Sequence, residues 1–598
     1  MSRSLQVFFI LSSASLLSLG IPNALYHFGS PVYGLISLIP LYLCYTQIKS
    51  FSQAFWTMFA HAILVHLLSS FWLAFFKDFA AFTLGASALG TAFIAGAVGL
   101  FFYLPFFRLN KRNLELYISG TNAYYIPFRI LWFSAVYVSW EWCKSCGWLG
   151  YPWGTVSSTM FHWKILMQLS DITGTYGITF LACLFCASVA EGYLLLINSG
   201  NMLFPEKSFG HYRNAVSVTI IFFVLTFFYG TFRYFQPLKP CKYLNAIMVQ
   251  QNADPWKEKS DNNTILISEK LTEQKLEEAR QKGITVDLVV WSEGSLRYRM
   301  PGAMGHYKKF PIEEPLIPFI QKCGIPFLIG GSYAPTGSGL KHYNGALVFD
   351  KDGQMRGAYP KNHLVPFAEV LPFADIPQVQ SFLRKTIGIS AGWTPGQEYV
   401  YFDVPCQETD SNKPSAVKYI SLQKPYSENE ELKQRPTARI STPICFDDAF
   451  PDVMRPLINY GSELFVNITD DSWSLTKSAE FQHFVIASYR TIETRSTLAR
   501  SCNSGYSAVI NPKGKVLQDL PVFTETAGLF QIPVYPKKIT IYQKYGNWLP
   551  KTFVLIMLSV LGYSFIIRNK ETIIYSERKK FSKKYLKKFL KERKSDKK

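Results

Sequence analysis

Hydrophobic positions change their pattern twice along the chain. As far as about Phe235 they form long runs with short polar gaps, and from 236 to about 548 they form short runs between charged and turn-forming residues. A last long run covers 549–568, and a strongly charged tail, 569–598, follows it. A bilayer-spanning helix needs about 20 apolar residues. Eight segments meet that length: 5–26, 28–47, 51–76, 82–107, 126–143, 169–197, 214–235 and 549–568. The first is followed at once by another and has no clear small-residue cleavage site, so it reads as a helix and not as a removed leader. The pattern predicts a multi-span α-helical membrane bundle of about eight helices, with seven in residues 1–235.

Residues 236–548 predict strands and helices in alternation. NAIMVQ (245–250), DLVVW (287–291), IPFLIG (325–330), Ile440–Ile444 and Leu464–Ile468 read as strands, the apolar ones as members of a sheet covered on both faces. Residues 264–282 and 313–323 read as helices, and 481–500 as one long helix. Segments 343–350 and 354–358 flank an Asp-Gly hairpin turn. Segments 507–510 and 515–517 flank a second turn at 512–514. Such an order predicts a layered α/β domain. Residues 407–437 are polar and aperiodic and read as an insertion.

Charge adds a direction. The formal net charge is +20, and the tail from Lys570 alone carries +9. The α/β region has no comparable basic cluster, which argues against nucleic acid as a partner. Arg3, Lys49, the Arg108/Lys111/Arg112 group, Lys207 with Arg213, and the tail fall on one side if the spans alternate. Basic loops stay cytoplasmic, so both termini are expected there and residues 236–548 outside. The tail reads as a topology anchor at the bilayer surface. Ten cysteines are scattered without a framework, and no phosphate loop or zinc spacing is present, so neither cofactor nor metal is expected. Cys143 and Cys146 read as packed thiols.

Candidate chemistry sits just after three strands, where α/β folds place reactive groups. VVWSEGS holds Glu293, YPKNHLVPFAEVLPF holds Lys361, His363 and Glu369, and ISTPICFDDAF holds Cys445. Singly, each has a plain reading: a solvated strand-end Glu, a packed loop, a buried core Cys. Together they can do acyl transfer. A thiol of ordinary pKa needs a base or cation to become a nucleophile. Glu293 can accept its proton, and Lys361 can stabilise the anionic tetrahedral intermediate.

The order Glu, Lys, Cys resembles the nitrilase, or carbon–nitrogen hydrolase, superfamily. KNHLVPFAE, EWCKSCGWLGYPW, QQNADPW, DDSWSLTKSAEFQHFVIASYRTIETR and YGNWLP, with the eight-span frame, resemble the apolipoprotein N-acyltransferase family in particular. The resemblance implies an αββα nitrilase-like sandwich outside a bacterial inner (cytoplasmic) membrane, on the periplasmic side. It implies Cys445 as nucleophile, Glu293 as base and later acid, and Lys361 as oxyanion stabiliser. It further implies that Glu369 supports the lysine, that Trp256 lies near the site, and that Phe446 and Asp447 follow the nucleophile. The family usually has a Glu where Asp447 stands, a Pro at Ser292 and an Asn at Asp470. The implied donor is a membrane phospholipid and the implied acceptor a diacylated lipoprotein, handled by a monomer. Phe367, Phe373 and Trp393 are candidates to line the acyl path, and His363 and His483 read as structural or lining. The rival reading is a membrane-anchored amidase that passes the thioester to water.

Overall fold

The structure is a computed structural model that describes residues 2–76, 81–106, 126–199, 206–254, 257, 260–337, 339, 341–370, 376–378, 381, 392–406, 418–422, 437–564 and 566. Trp256, Phe373, most of the 407–437 segment and the basic tail lie outside the described residues.

Among the described residues, five helices are long and apolar enough to cross a membrane: Arg3–Gly20, Phe51–Ser69, Thr83–Tyr103, Tyr176–Ile197 and Phe209–Phe235. The apolar stretches Pro31–Tyr45 and Trp548–Ser564 are shorter, and helix Ile126–Ser145 carries Arg129, Glu141 and Lys144. These elements occupy the places expected of the eight runs, but several limits differ. The 5–26 run is helical only to Gly20, because Pro22 holds Ile21 extended. The 28–47 run splits into Pro31–Ile36 and Ile39–Tyr45, each with a proline in its first turn. The helix expected from residue 169 starts at Tyr176, after Gly174 turns the chain at φ 64°. The charged pair at the centre of the bundle is matched, as membrane burial demands. The Arg129 guanidinium donates to Glu191 at 2.7 Å, and the Tyr42 hydroxyl donates to the same carboxylate.

The remainder is built from strands. In chain order they are β1 (Lys242–Gln250), β2 (Leu288–Met300), β3 (Phe327–Tyr333), β4 (Tyr343–Phe349), β5 (Met355–Pro360), β6 (Tyr399–Pro405) and β7 (Lys418–Leu422). They continue with β8 (Thr437–Ser441), β9 (Leu464–Thr469), β10 (Thr497–Cys502), β11 (Ala508–Ile510), β12 (Val516–Asp519) and β13 (Thr526–Val534). One sheet has the order β13-β1-β2-β3-β4-β5 and the other β12-β11-β10-β9-β8-β6-β7. The centres, β1-β2-β3 and β8-β9-β10, are parallel, and the flanks are antiparallel.

Side-chain alternation divides the first sheet between two cores. Met248, Val290, Leu328 and Val348 face the second sheet, whereas Ile247, Val289, Phe327 and Leu347 pack under the outer helices Asn262–Gln281 and Leu316–Cys323. The second sheet is covered by Pro451–Asn459 and Lys477–Thr494. The result is an αββα sandwich whose two sheets touch, for example where Ser501 Oγ donates to the Val249 carbonyl at 3.2 Å.

One expected element is wrong. The helix read over 481–500 begins earlier, at Lys477, and stops at Thr494, where Arg495 takes the left-handed conformation (φ 52°). Residues 497–502 are β10, paired in parallel with β9. The β-branched Thr494 and Thr497 mark the change, but helical amphipathicity carries through it and hides it. The membrane bundle docks on this same helix. Gln482 Nε2 donates to the carbonyls of Pro22 and Ser69, and the Trp72 indole donates to its Oε1.

Candidate active site

Glu293 lies within β2, where pairing with β3 is irregular between Trp291 and Leu296 and Gly294 sits at φ 76°. Such a bulge re-aims a side chain. Gly330 on β3 makes the approach possible, since a Cβ there would lie 2.5 Å from the Glu293 Cα. Glu293 Oε1 accepts from Asn344 Nδ2 at 2.6 Å and Lys361 Nζ at 3.1 Å, and Oε2 accepts from the Asp470 amide at 2.8 Å. Lys361, directly after β5, is held by its amide to the Asn344 carbonyl at 2.8 Å. Its Nζ also donates to Glu369 at 2.9 Å. Glu369 in turn is fixed by Asn344 and by the Val365 amide. Lys361 is therefore a buried ammonium between two carboxylates.

Burial sets the electrostatics. It pushes Glu293 up, Lys361 pulls it back down, and Glu369 and Asp470 add to the rise. A base with a raised pKa is nearer in proton affinity to what it must deprotonate. Lys361 stays protonated, because Glu293 and Glu369 outweigh its desolvation.

Cys445 begins the tight turn Cys445–Ala449 that follows β8. It adopts φ 44°, a left-handed conformation that costs a non-glycine residue energy and that clusters at functional sites. Burial and Glu293 raise its thiol, and Lys361 lowers it. The resting group is thus a neutral thiol that needs a base, not a preformed thiolate.

A second polar cluster lies behind the thiol. Cys445 Sγ is 3.9 Å from Asp471 Oδ1. His483 Nδ1 bonds Asp471 at 2.8 Å and its Nε2 bonds Asp448 at 2.9 Å, while Arg500 donates to Asp448 at 2.7 Å. Despite burial, Asp471 and Asp448 push His483 up to about 9. Cys445, Asp471 and His483 are close enough to hold a metal ion. A doubly donating imidazolium has no lone pair to offer, so the donor set does not fit one.

Asp447 is fully buried and faces away from the thiol. It accepts from the Tyr359 hydroxyl at 2.9 Å, the His363 amide at 2.7 Å and the Ile444 amide at 3.1 Å. It ties the lysine loop to the cysteine turn. Phe446 stacks on Trp153 at 5.2 Å, and His363 stacks on Phe450. Burial and Lys361 lower His363 to about 4, leaving it neutral. Asp470 turns its carboxylate to Ser472 and Asn503, and offers the site only its amide.

Glu293, Lys361, Glu369 and Cys445 open into one cavity of about 700 Å³. Its walls come from both halves of the molecule: Trp72, Ile94 and Trp153 from the helical part, and Phe367, Trp393 and Trp473 from the α/β part. Sequence reading found the strand-end residues and Glu369. It missed Asn344, Asp471, Asp448 and Arg500, and only the DD pairs at 447–448 and 470–471, together with His483, hinted at a buried charge network.

A two-sheet sandwich that brings Glu, Lys and Cys together over a buried pocket defines a carbon–nitrogen hydrolase domain, and residues 249–535 match that family. Residues 13–188 match the apolipoprotein N-acyltransferase N-terminal domain. Apolipoprotein N-acyltransferase 2 of Treponema denticola is 38% identical over 555 residues, 93% of this chain and 96% of the relative. Apolipoprotein N-acyltransferase 2 of Treponema pallidum is 35% identical, covering 92% and 93%. The enzyme of Borreliella burgdorferi is 27% identical, covering 93% and 95%. The chain belongs to the apolipoprotein N-acyltransferase family, and it is a membrane protein.

Proposed function

We propose that the protein moves an acyl chain from a membrane phospholipid, through a thioester on Cys445, to the α-amino group of a lipoprotein's diacylglyceryl-cysteine. The observation that carries this reading is the shared cavity: a Glu–Lys–Cys set at its polar end, with aromatic and aliphatic walls supplied jointly by the membrane helices and the sandwich.

Glu293 takes the thiol proton as Sγ attacks the ester carbonyl carbon. The Lys361 ammonium meets the oxyanion that forms. The intermediate collapses with loss of the lysophospholipid oxygen, which takes the proton from Glu293. The acceptor amine then attacks the thioester, and Glu293 accepts a proton from its nitrogen. The carbon–sulfur bond breaks, the proton passes to sulfur, and the amide leaves. Glu369 and Asn344 hold Lys361 and Glu293 in place throughout. In this reading residues 236–548 form a catalytic domain on the periplasmic side of a bacterial inner membrane. Both termini are cytoplasmic, and one chain suffices.

The test is intact mass. Protein incubated with phospholipid alone should gain one acyl mass that hydroxylamine removes, and Cys445→Ala should not. A diacylated lipopeptide should then discharge the adduct into an amide. A folded protein that never gains the mass, or that loses it to water at the same rate with and without lipopeptide, would instead place it with the amidases.

A further inference from the structure

A second pocket, of about 290 Å³, lies where the spanning helix Phe209–Phe235 meets the sandwich. It shares no lining residue with the catalytic cavity. Arg233, Lys239, Arg495 and Lys538 line it, with Gln236 and Tyr535, and no carboxylate is among its lining residues. Asp171 pairs with two of these cations. It accepts from Arg233 at 2.9 Å, from Arg495 at 3.1 Å and from the Tyr229 hydroxyl at 2.7 Å. Lys513, next to the lining residue Pro512, holds its ammonium 5.9 Å from the Tyr234 ring centre. Burial, with Arg495 and Lys515 beside it, holds this ammonium below the ordinary lysine value. Four lining cations thus share one carboxylate among the described residues, and the pocket keeps a net positive charge.

Its height is also fixed. Phe228, Phe232 and Phe235 are exposed below it on the spanning helix, and Ile539, Ile541 and Tyr545 are exposed beside it on the sandwich. The apolar stretch Trp548–Ser564 starts next to Asp171, where the Trp548 indole donates to the Ile172 carbonyl at 2.7 Å. Exposed rings and aliphatic side chains at both junctions mark the bilayer surface, and phosphates of the lipid headgroups lie at that level. Basic pockets of this kind beside membrane helices suit phosphate-bearing heads.

We propose that this pocket binds the headgroup of an anionic phospholipid, a lipid that is held and not consumed. Bound there, it bridges the end of the spanning helix at Arg233 and Lys239 to the sandwich at Arg495 and Lys538, and so seats the sandwich on the membrane.

The experiment uses the full chain in nanodiscs of phosphatidylcholine alone or with phosphatidylglycerol, and native mass spectrometry of the released protein. K239E/K538E changes two exposed cations of the pocket, and K270E/K351E is a charge-matched control on the outer helix and the β4–β5 turn. Wild type and control should retain phosphatidylglycerol in preference to phosphatidylcholine. K239E/K538E should retain it about tenfold less, while its melting temperature in pure phosphatidylcholine and its acyl-enzyme yield stay as in wild type. Equal retention by the pocket variant and the control overturns the proposal, as does a wild type with no preference for the anionic lipid. So does displacement of the lipid by inorganic phosphate in millimolar excess, because that outcome describes a phosphate site open to water.

Discussion

Two buried charge clusters meet at Cys445, and they come from opposite sheets. In front stand Glu293, Lys361 and Glu369, carried by β2 and the segment after β5. Behind stand Asp448, Asp471, His483 and Arg500, carried by the turn after β8, the segment after β9, the helix Lys477–Thr494 and β10. The front cluster holds one cation between two carboxylates and opens into the cavity. The rear cluster matches two carboxylates with two cations, and Asp448 and Arg500 do not reach the cavity wall. A charge set with one more proton acceptor than it has cations is built to react. A set whose charges cancel is built to hold shape. The thiol lies where the two sheets bring these clusters face to face, and the strained backbone of Cys445 is braced from both sides.

The comparison breaks first at the front. Glu293→Gln keeps the side chain's shape and removes its basicity, so acyl-enzyme formation should fall by about 10²–10⁴-fold, the usual contribution of a general base. Cys445→Ala should abolish the adduct altogether. Cys445→Ala should leave the melting temperature unchanged, whereas Glu293→Gln also breaks a buried pair with Lys361 and should lower it. Acylation per folded molecule that stays at the wild-type rate in Glu293→Gln would make the front cluster structural after all.

At the rear the expected order reverses. Arg500→Met leaves Asp448 as a buried carboxylate with only His483 beside it, and breaking a buried pair costs about 3–5 kcal/mol. Denaturant melts should show that loss. Activity per folded molecule should fall less than in Glu293→Gln. If Arg500→Met instead behaves like Glu293→Gln in kinetics while remaining as stable as wild type, the rear cluster takes part in the chemistry.

Glu369→Gln sharpens the front cluster internally. Lys361 keeps Glu293 but loses one charge-assisted hydrogen bond, worth about 1.5 kcal/mol. The rate of acylation should drop about tenfold with little change in KM. A change in KM alone would mean that Glu369 contacts lipid and does not orient the lysine.

pH separates the clusters without mutation. His483 is raised to about 9 in the folded protein, above its ordinary 6.5. Its stabilising contribution is therefore complete below about 6.5 and is lost as pH rises through about 9. Glu293 is raised by burial, so activity should fail on the acid side at a higher pH than an ordinary carboxylate would give. Melting temperatures and single-turnover acylation across pH should show an alkaline loss of stability and an acid loss of rate. His483→Gln should flatten the first and leave the second.

The two clusters also differ in how legible they are in the chain. Glu293, Lys361 and Cys445 follow short apolar runs directly, so period and position expose them. Asp471 sits in the connection after β9 and His483 in a segment whose sequence reads as an ordinary amphipathic helix, and the Lys477–Thr494 helix is buried between the second sheet and the membrane bundle. Arg500 was lost because the helical pattern ran on through β10. The membrane runs were visible as composition, but their breaks at Pro22, Pro31 and Gly174 depend on local backbone geometry, which hydropathy alone does not weigh. Asn344 could not be found at all from the chain. It is one residue in an otherwise ordinary hairpin strand, and only the pairing of β4 with β3 places its amide between two glutamates.

Asp447 gives the smallest expected effect and the sharpest boundary between the clusters, because it belongs to neither. It joins them mechanically, with bonds to the His363 amide on the lysine loop and to the Ile444 amide at the cysteine turn. Burial raises it to about 7, against those bonds and Lys361, so it carries partial proton occupancy near neutrality and does not depend on its charge. Asp447→Asn keeps only one of the two backbone ties, because its amide nitrogen cannot accept, so the melting temperature should fall modestly while acylation changes less than tenfold. Asp447→Glu installs the residue usual in the family but adds a methylene to a closed site, and overpacking of that kind costs about 1–3 kcal/mol. Its melting temperature should fall while the acyl-enzyme yield persists. A Glu variant that is faster than wild type would show that the carboxylate at this position reaches the reacting atoms, and the bridge would then have to be redrawn as part of the front cluster.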